Sequence, residues 1–176
     1  MWIGERSIEL NFTADAIVFP KGYDFRYSTV IRRDKVRAIT INEVDLSAAP
    51  PSLVINSAEV IFISAVYRNE LAALAERNGI PQVKRFDIWG ALNEPFLDTT
   101  HTPEQQAQTI ALLAENNIPP AEVVDIRKRI RRTMLFYNSF VWEWVYLGHY
   151  DYLRWTWLTK RKYWWSMDIA LRNFRP

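Results

Sequence analysis

His101 and His149 are the chain's two histidines, and each has carboxylates close by: Glu94 and Asp98 before the first, Asp151 after the second. Imidazole and carboxylate are ligands that zinc and iron accept, and a His–Asp pair can also move protons. Their spacing matches no helical metal motif such as HExxH, and no nucleophile or oxyanion donor stands beside either histidine. The five glycines form neither GxGxxG nor a Walker loop, so no nucleotide cradle is expected. With no Cys in the chain, disulfides, thiolate catalysis and Cys-ligated metal centres are excluded. No catalytic residue and no cofactor are expected. Glu94, Asp98, His101, His149 and Asp151 are the groups that a metal or acid/base site would have to use.

A second constellation is aromatic and basic. Val141 to Trp165 reads VWEWVYLGHYDYLRWTWLTKRKYWW and holds six of the chain's eight Trp. Charge follows it: residues 1–118 carry 11 Lys and Arg against 15 Asp and Glu, net −4, whereas residues 119–176 carry 11 against 5, net +6. Within the stretch, Arg154, Trp155, Lys160, Arg161 and Lys162 interleave cations with rings. That pattern can stack bases and neutralise phosphates of a single strand, or meet an anionic membrane surface. The rival reading of Lys160 to Lys162 is a solvated turn. Arg127-Lys-Arg129 and Arg131-Arg132 flank an apolar helix seam and read as a solvated surface beside Asp125.

The elements that must position these groups fall into two kinds. Residues 1–81 read as short strands closed by a helix. Ser7–Thr13, Ala16–Phe19, Phe25–Ile31 and Val36–Ile41 are strand-like, and Ser52–Asn56 with Val60–Ser64 forms a hairpin about Asn56-Ser57-Ala58. Asn42 to Pro51 reads as a loop. The closing helix has Asn69 as its cap, Leu71, Leu74 and Ala75 as its stripe, and Gly79 at C′. Residues 82–101 are a connector in which Asp87 caps a short helix through Ile88, Trp89 and Leu92. Residues 102–176 are a helical, aromatic-rich extension. It opens on the capping box Thr102-Pro-Glu-Gln105, breaks at Asn116 to Pro120, and continues as the seam Val123, Ile126, Ile130, Met134, Tyr137, Val141 and Trp144.

If that last helix ran on through Gly148, at about 100° per residue, a second stripe would lie opposite the seam. It holds Leu135, Trp142, Tyr146, Leu153 and Trp157, with Tyr150 at its margin, and would need a partner to bury it. If Gly148 ends the helix, two shorter helices can cover each other instead.

The order strand, TADA turn, strand, RDKVRAITI, hairpin SLVINSAEVIFIS and helix NELAALAERNGI resembles the bacterial pleckstrin-homology-like domains over residues 6–80. The resemblance implies a small β-barrel or roll plugged by a helix, used for binding or assembly without catalytic residues. The Asn42–Pro51 loop departs from that pattern. The sequence expectation is an α+β protein with such a roll followed by a helical extension. It is a non-enzymatic module that self-associates or binds a protein partner. The alternative is single-stranded nucleic-acid or anionic-surface binding through the basic aromatic C-terminal segment, and the third reading is a metal-dependent or acid/base enzyme using His149 and Asp151. The start MWIGERSIEL lacks a signal-peptide apolar region and no run of eighteen apolar residues occurs, so no transmembrane segment and a cytoplasmic location are expected.

Overall fold

The computed structural model describes residues 9–32, 34–97, 102–138 and 146–174, with backbone alone for Arg32 and residues 135–138. The chain divides into two compact units, Met1–Lys84 and Arg85–Arg175. Among the described residues it is a mixed structure of six short strands and six α-helices, and none of the helices is long and apolar enough to cross a membrane.

The first unit holds two antiparallel three-stranded sheets. Strands β1 (Asn11–Phe12), β2 (Ala16–Val18) and β3 (Lys35–Arg37) form one, in that order. Strands β4 (Ile41–Asp45), β5 (Ser52–Ile55) and β6 (Glu59–Phe62) form the other. All residues of β5 and β6 are buried, so their side chains pack on both faces. Asn56 and Ser57 take positive φ values of 51° and 54° at the centre of a turn closed by Ala58 N donating to Ile55 O, within the three-residue loop between Ile55 and Glu59. The register of β4 against β5 skips Asn42 at a bulge, and the freed Asn42 Oδ1 accepts the Ser57 N–H at 2.7 Å.

Three expectations are corrected here. Asn42 to Asp45 belongs to β4 and is not loop, because Ile41, Val44 and Asp45 are buried and ladder with β5. Phe25–Ile31 is not a strand. Its backbone donors go to side chains: Ser28 Oγ accepts from Val30 N, and the Glu59 carboxylate accepts from Thr29 N. Such local acceptors compete with a ladder, and the segment closes as a 3₁₀ turn over Thr29–Arg32. Val36 and Ile41 do not share one strand. A 3₁₀ turn at Ala38–Thr40 carries the chain from the first sheet into the second.

Helix α1 (Arg68–Arg77) buries Leu71, Leu74 and Ala75. It begins one residue before Asn69, after a 3₁₀ turn at Ala65–Tyr67, so Asn69 lies in the first turn and is not the cap. Its end is a Schellman motif: Ile80 N donates to Ala75 O at 2.8 Å, and Gly79 N to Glu76 O, with Gly79 at φ +64°.

Among its described residues, the second unit's regular elements are all helices. Asp87 Oδ1 accepts from Gly90 N and caps α2 (Ile88–Asn93). Thr102 and Gln105 form the expected capping box of α3 (Pro103–Glu115). That helix also ends in a Schellman motif, with Asn117 at φ +64° and Ile118 N donating to Leu113 O. Asn serves there in place of Gly because its Nδ2 donates to Arg172 O at 2.8 Å. Helix α4 (Pro120–Asn138) buries Val123, Ile126, Ile130 and Met134, as the period of three and four requires. Tyr137's side chain and residues 141–145 lie outside the described residues. Two further helices follow, α5 (His149–Trp155) and α6 (Lys160–Ala170).

Gly148 ends the question of one helix or two. It is extended, at φ −100° and ψ −168°, and stands as the N-cap of α5. The continuous helix with opposed stripes is therefore overturned.

Candidate functional site

The aromatic residues of the second unit sort into a buried stack and an exposed elbow. Trp89, on the inner face of α2, is the centre of the stack. Its indole lies parallel to the His149 ring (5.1 Å between centroids, 7°) and to Tyr152 (4.5 Å, 21°), while Trp165 meets it edge-on at 6.0 Å. Trp89 Nε1 donates to Ser166 O. The Arg129 guanidinium then covers the outer part of the cluster, 3.9 Å above the Trp165 ring. Stacked and edge-on pairs use ring quadrupoles that simple area burial does not count.

His149 is a member of this stack and is buried. Its Nε2 lies 2.9 Å from Ser166 Oγ, a pairing that on its face resembles a nucleophile and its base. The proton assignment says otherwise. Ser166 Oγ donates to Tyr163 O at 2.8 Å, so the hydroxyl offers His149 an acceptor and the imidazole carries its proton on Nε2. Both residues are closed to solvent. Burial, with the positive charge of Arg85 as a lesser cause, lowers the His149 pKa to about 3, leaving the ring neutral.

Asp151 caps its own helix. Its Oδ2 accepts the Gly148 N–H at 2.8 Å, and burial raises its pKa against the pull of that bond. Glu94 opens a 3₁₀ turn after α2, while Asp98 and His101 lie outside the described residues. Among the described residues, no group of three or more His, Asp or Glu is placed to hold a metal ion. His149 and Asp151 thus serve packing and capping in this geometry.

Of the residues expected to form a partner-binding stripe, Leu153 is buried within its own unit. Tyr146, 39% exposed, donates its hydroxyl to Asp87 Oδ2 and lies across two glycines. A Cβ at Gly148 would stand 2.6 Å from the Tyr146 hydroxyl, and one at Gly90 would stand 2.2 Å from the Asp87 carboxylate. Tyr150 is half-buried and accepts from Arg154 Nη1 at 2.9 Å. The side chain of Leu135 and all of Trp142 lie outside the described residues.

Trp157 is different. It sits between α5 and α6 and is 85% exposed. Thr156 and Thr159 on either side have extended backbones, and alternation turns Thr156 inward and Trp157 outward. The elbow is fixed at both ends: Thr159 Oγ1 caps α6 by accepting from Lys162 N, and Lys162 Nζ donates to Trp157 O at 3.2 Å. Lys160 to Lys162 is accordingly the first turn of a helix and not a solvated turn. Along the chain on either side of Trp157, Arg154, Lys160 and Arg161 are exposed, Trp155 is at the margin of exposure, and Leu158 is half-buried.

The basic cluster on α4 is partly structural. Arg127 donates through Nε to Leu92 O and through Nη2 to Ala91 O, satisfying carbonyls at the end of α2. Sequence reasoning missed Ser166 as the partner of His149 and Arg129 as the lid on Trp165. The available signal for Ser166 was one small hydroxyl in the otherwise bulky run YWWSM. No family model, curated protein or solved structure matches the chain.

Proposed function

We propose that the chain is a non-catalytic binding module whose α5–α6 elbow docks on an anionic surface, a membrane headgroup layer foremost. The observation that carries this reading is Trp157, 85% exposed on a turn whose carbonyl a lysine holds. A large ring ordinarily finds cover. Here it is exposed and flanked along the chain by Arg154, Lys160, Arg161 and Lys162, which suits a polar–apolar boundary where Trp enters the interface and cations meet headgroups. Each such cation adds about 1 kcal/mol at an anionic membrane. With about 2 kcal/mol for partial burial of the ring, the elbow supports roughly sub-millimolar, salt-sensitive binding.

The test is sedimentation with vesicles containing phosphatidylglycerol, at low and high salt. Wild-type protein is expected to bind at low salt with a blue shift in Trp emission, and both Trp157→Ala and the double variant K160Q/R161Q are expected to lose binding. No binding at low salt, or equal binding by Trp157→Ala, would refute the reading. A second reading, single-stranded nucleic acid, is favoured by Trp155 and Trp157 offering two rings within three residues. Quenching by an oligonucleotide without vesicle binding would select it.

Self-association draws less support from this elbow, since a two-fold pairing there would bring four cations against four. The bacterial pleckstrin-homology-like reading of residues 6–80 is kept as a proposal, and it too suits binding. Fold alone assigns no ligand.

A further inference from the structure

The first unit carries a cleft of about 330 Å³ beside β3, near the lower limit of small-molecule sites. Thr29, Lys35, Arg37, Thr40 and Asn56 line it, with Val30 and Ile55 as apolar neighbours. No acidic residue lines it among the described residues. A neighbouring cleft of about 400 Å³, which also borders Arg37, does include Asp15.

Lys35 and Arg37 are exposed and flank the buried Val36 on one strand, so the pleat sends both cations to the same side. Neither is in an ion pair among the described residues. Two positive charges on one rim suit a dianion better than a single carboxylate, and the Arg37 fork suits planar pairs of oxygens.

The threonines specify the rest of the ligand. Thr29 Oγ1 donates to the Glu59 carboxylate, and Thr40 Oγ1 donates to Arg37 O at 2.7 Å. Each hydroxyl has its proton committed and presents acceptor lone pairs only. Asn56 can donate or accept. Acceptors facing a cationic rim call for a ligand with hydroxyl donors as well as negative charge.

We infer that this cleft binds a small phosphorylated polyol, its phosphate on Lys35 and Arg37 and its hydroxyls on Thr29 and Thr40. This site is independent of the α5–α6 elbow, and neither depends on the other's outcome. The same chemistry is available from a soluble sugar phosphate or from a lipid headgroup.

The experiment is a backbone-amide NMR titration of the full chain with glucose 6-phosphate, inorganic phosphate and glucose, together with sedimentation of vesicles containing phosphatidylinositol 4-phosphate, whose headgroup carries a phosphomonoester. Glucose 6-phosphate is expected to shift the amides of Thr29, Val36, Arg37, Thr40 and Asn56. Inorganic phosphate should shift them more weakly and glucose hardly at all. R37Q and K35Q replace exposed residues and should keep the wild-type spectrum elsewhere, with affinity reduced about tenfold or more. In a Trp157→Ala background, which removes the elbow's own binding, vesicle binding that R37Q abolishes without a response to the soluble compound would identify a headgroup as the source. No shift at millimolar glucose 6-phosphate and no R37Q-sensitive vesicle binding, or equal affinity in R37Q, would overturn the inference.

Discussion

Lowering the pH from 7 to 5 should destabilise the second unit through His149. In the unfolded chain an imidazole titrates near its ordinary 6.5, but in the folded unit burial against Trp89 lowers it to about 3. The folded pKa is depressed, so the stabilisation is complete above 6.5 and is lost as pH falls towards 3, where the unfolded chain alone takes up the proton. Each pH unit in that window is worth about 1.4 kcal/mol, which gives a loss of about 2 kcal/mol at pH 5 and about 4 kcal/mol at pH 3. Against a typical domain stability of about 5–15 kcal/mol, that is a large share. Asp151 works in the opposite sense. Its carboxyl is raised by burial, so its contribution is present below the unfolded value of 3.8 and is lost as pH rises through the folded one. The assay is guanidinium unfolding at constant ionic strength between pH 5 and 7, followed by Trp emission, on the wild type, His149→Phe, His101→Gln and Asp151→Asn. Phe keeps the stack on Trp89 and removes the titration, so His149→Phe should flatten the slope. His101→Gln controls for the other histidine, and Asp151→Asn removes that carboxyl's titration. A wild-type slope in His149→Phe, or a His149 ring resonance titrating near 6.5 by NMR, would refute the argument.

Further outcomes follow from the same packing. Trp89→Ala should cost about 3–5 kcal/mol in chemical denaturation, as large core truncations do, whereas Trp157→Ala should stay within about 0.5 kcal/mol of wild type. Gly148→Ala should cost about 1–3 kcal/mol because its methyl meets the Tyr146 ring. In a double-mutant cycle, adding Tyr146→Ala should recover part of that cost, and strict additivity would show that the ring is not the obstacle. Gly79→Ala forces an L side chain to φ +64° and should lose about 1 kcal/mol in thermal unfolding, while Asn117→Ala should lose more, since the bond to Arg172 O goes too.

What could be read from the sequence was what one element decides by itself. The capping box at Thr102, the Asp87 cap, the Gly79 terminus and the buried Val123–Ile126–Ile130–Met134 seam each depend on residues within a turn or two of one another. The failures have non-local causes. Thr29 leaves the strand pattern because a carboxylate thirty residues away, Glu59, takes its N–H. Asn42 looked like loop because a bulge hides it from the period of two, although its neighbours ladder normally. His149 could not be placed because its partners, Trp89 and Ser166, come from α2 and α6. Phase analysis of the aromatic run failed for a simpler reason, since a stripe has meaning only while the helix is unbroken and Gly148 resets it. Once α5 starts afresh, Leu153 turns into the unit, and the extended Thr156–Trp157 pair sends its two side chains to opposite sides. Among the described residues, the same run therefore supplies rings of the covered stack as well as the strongly exposed Trp157, and local backbone geometry at two positions, Gly148 and Thr156, decides which is which.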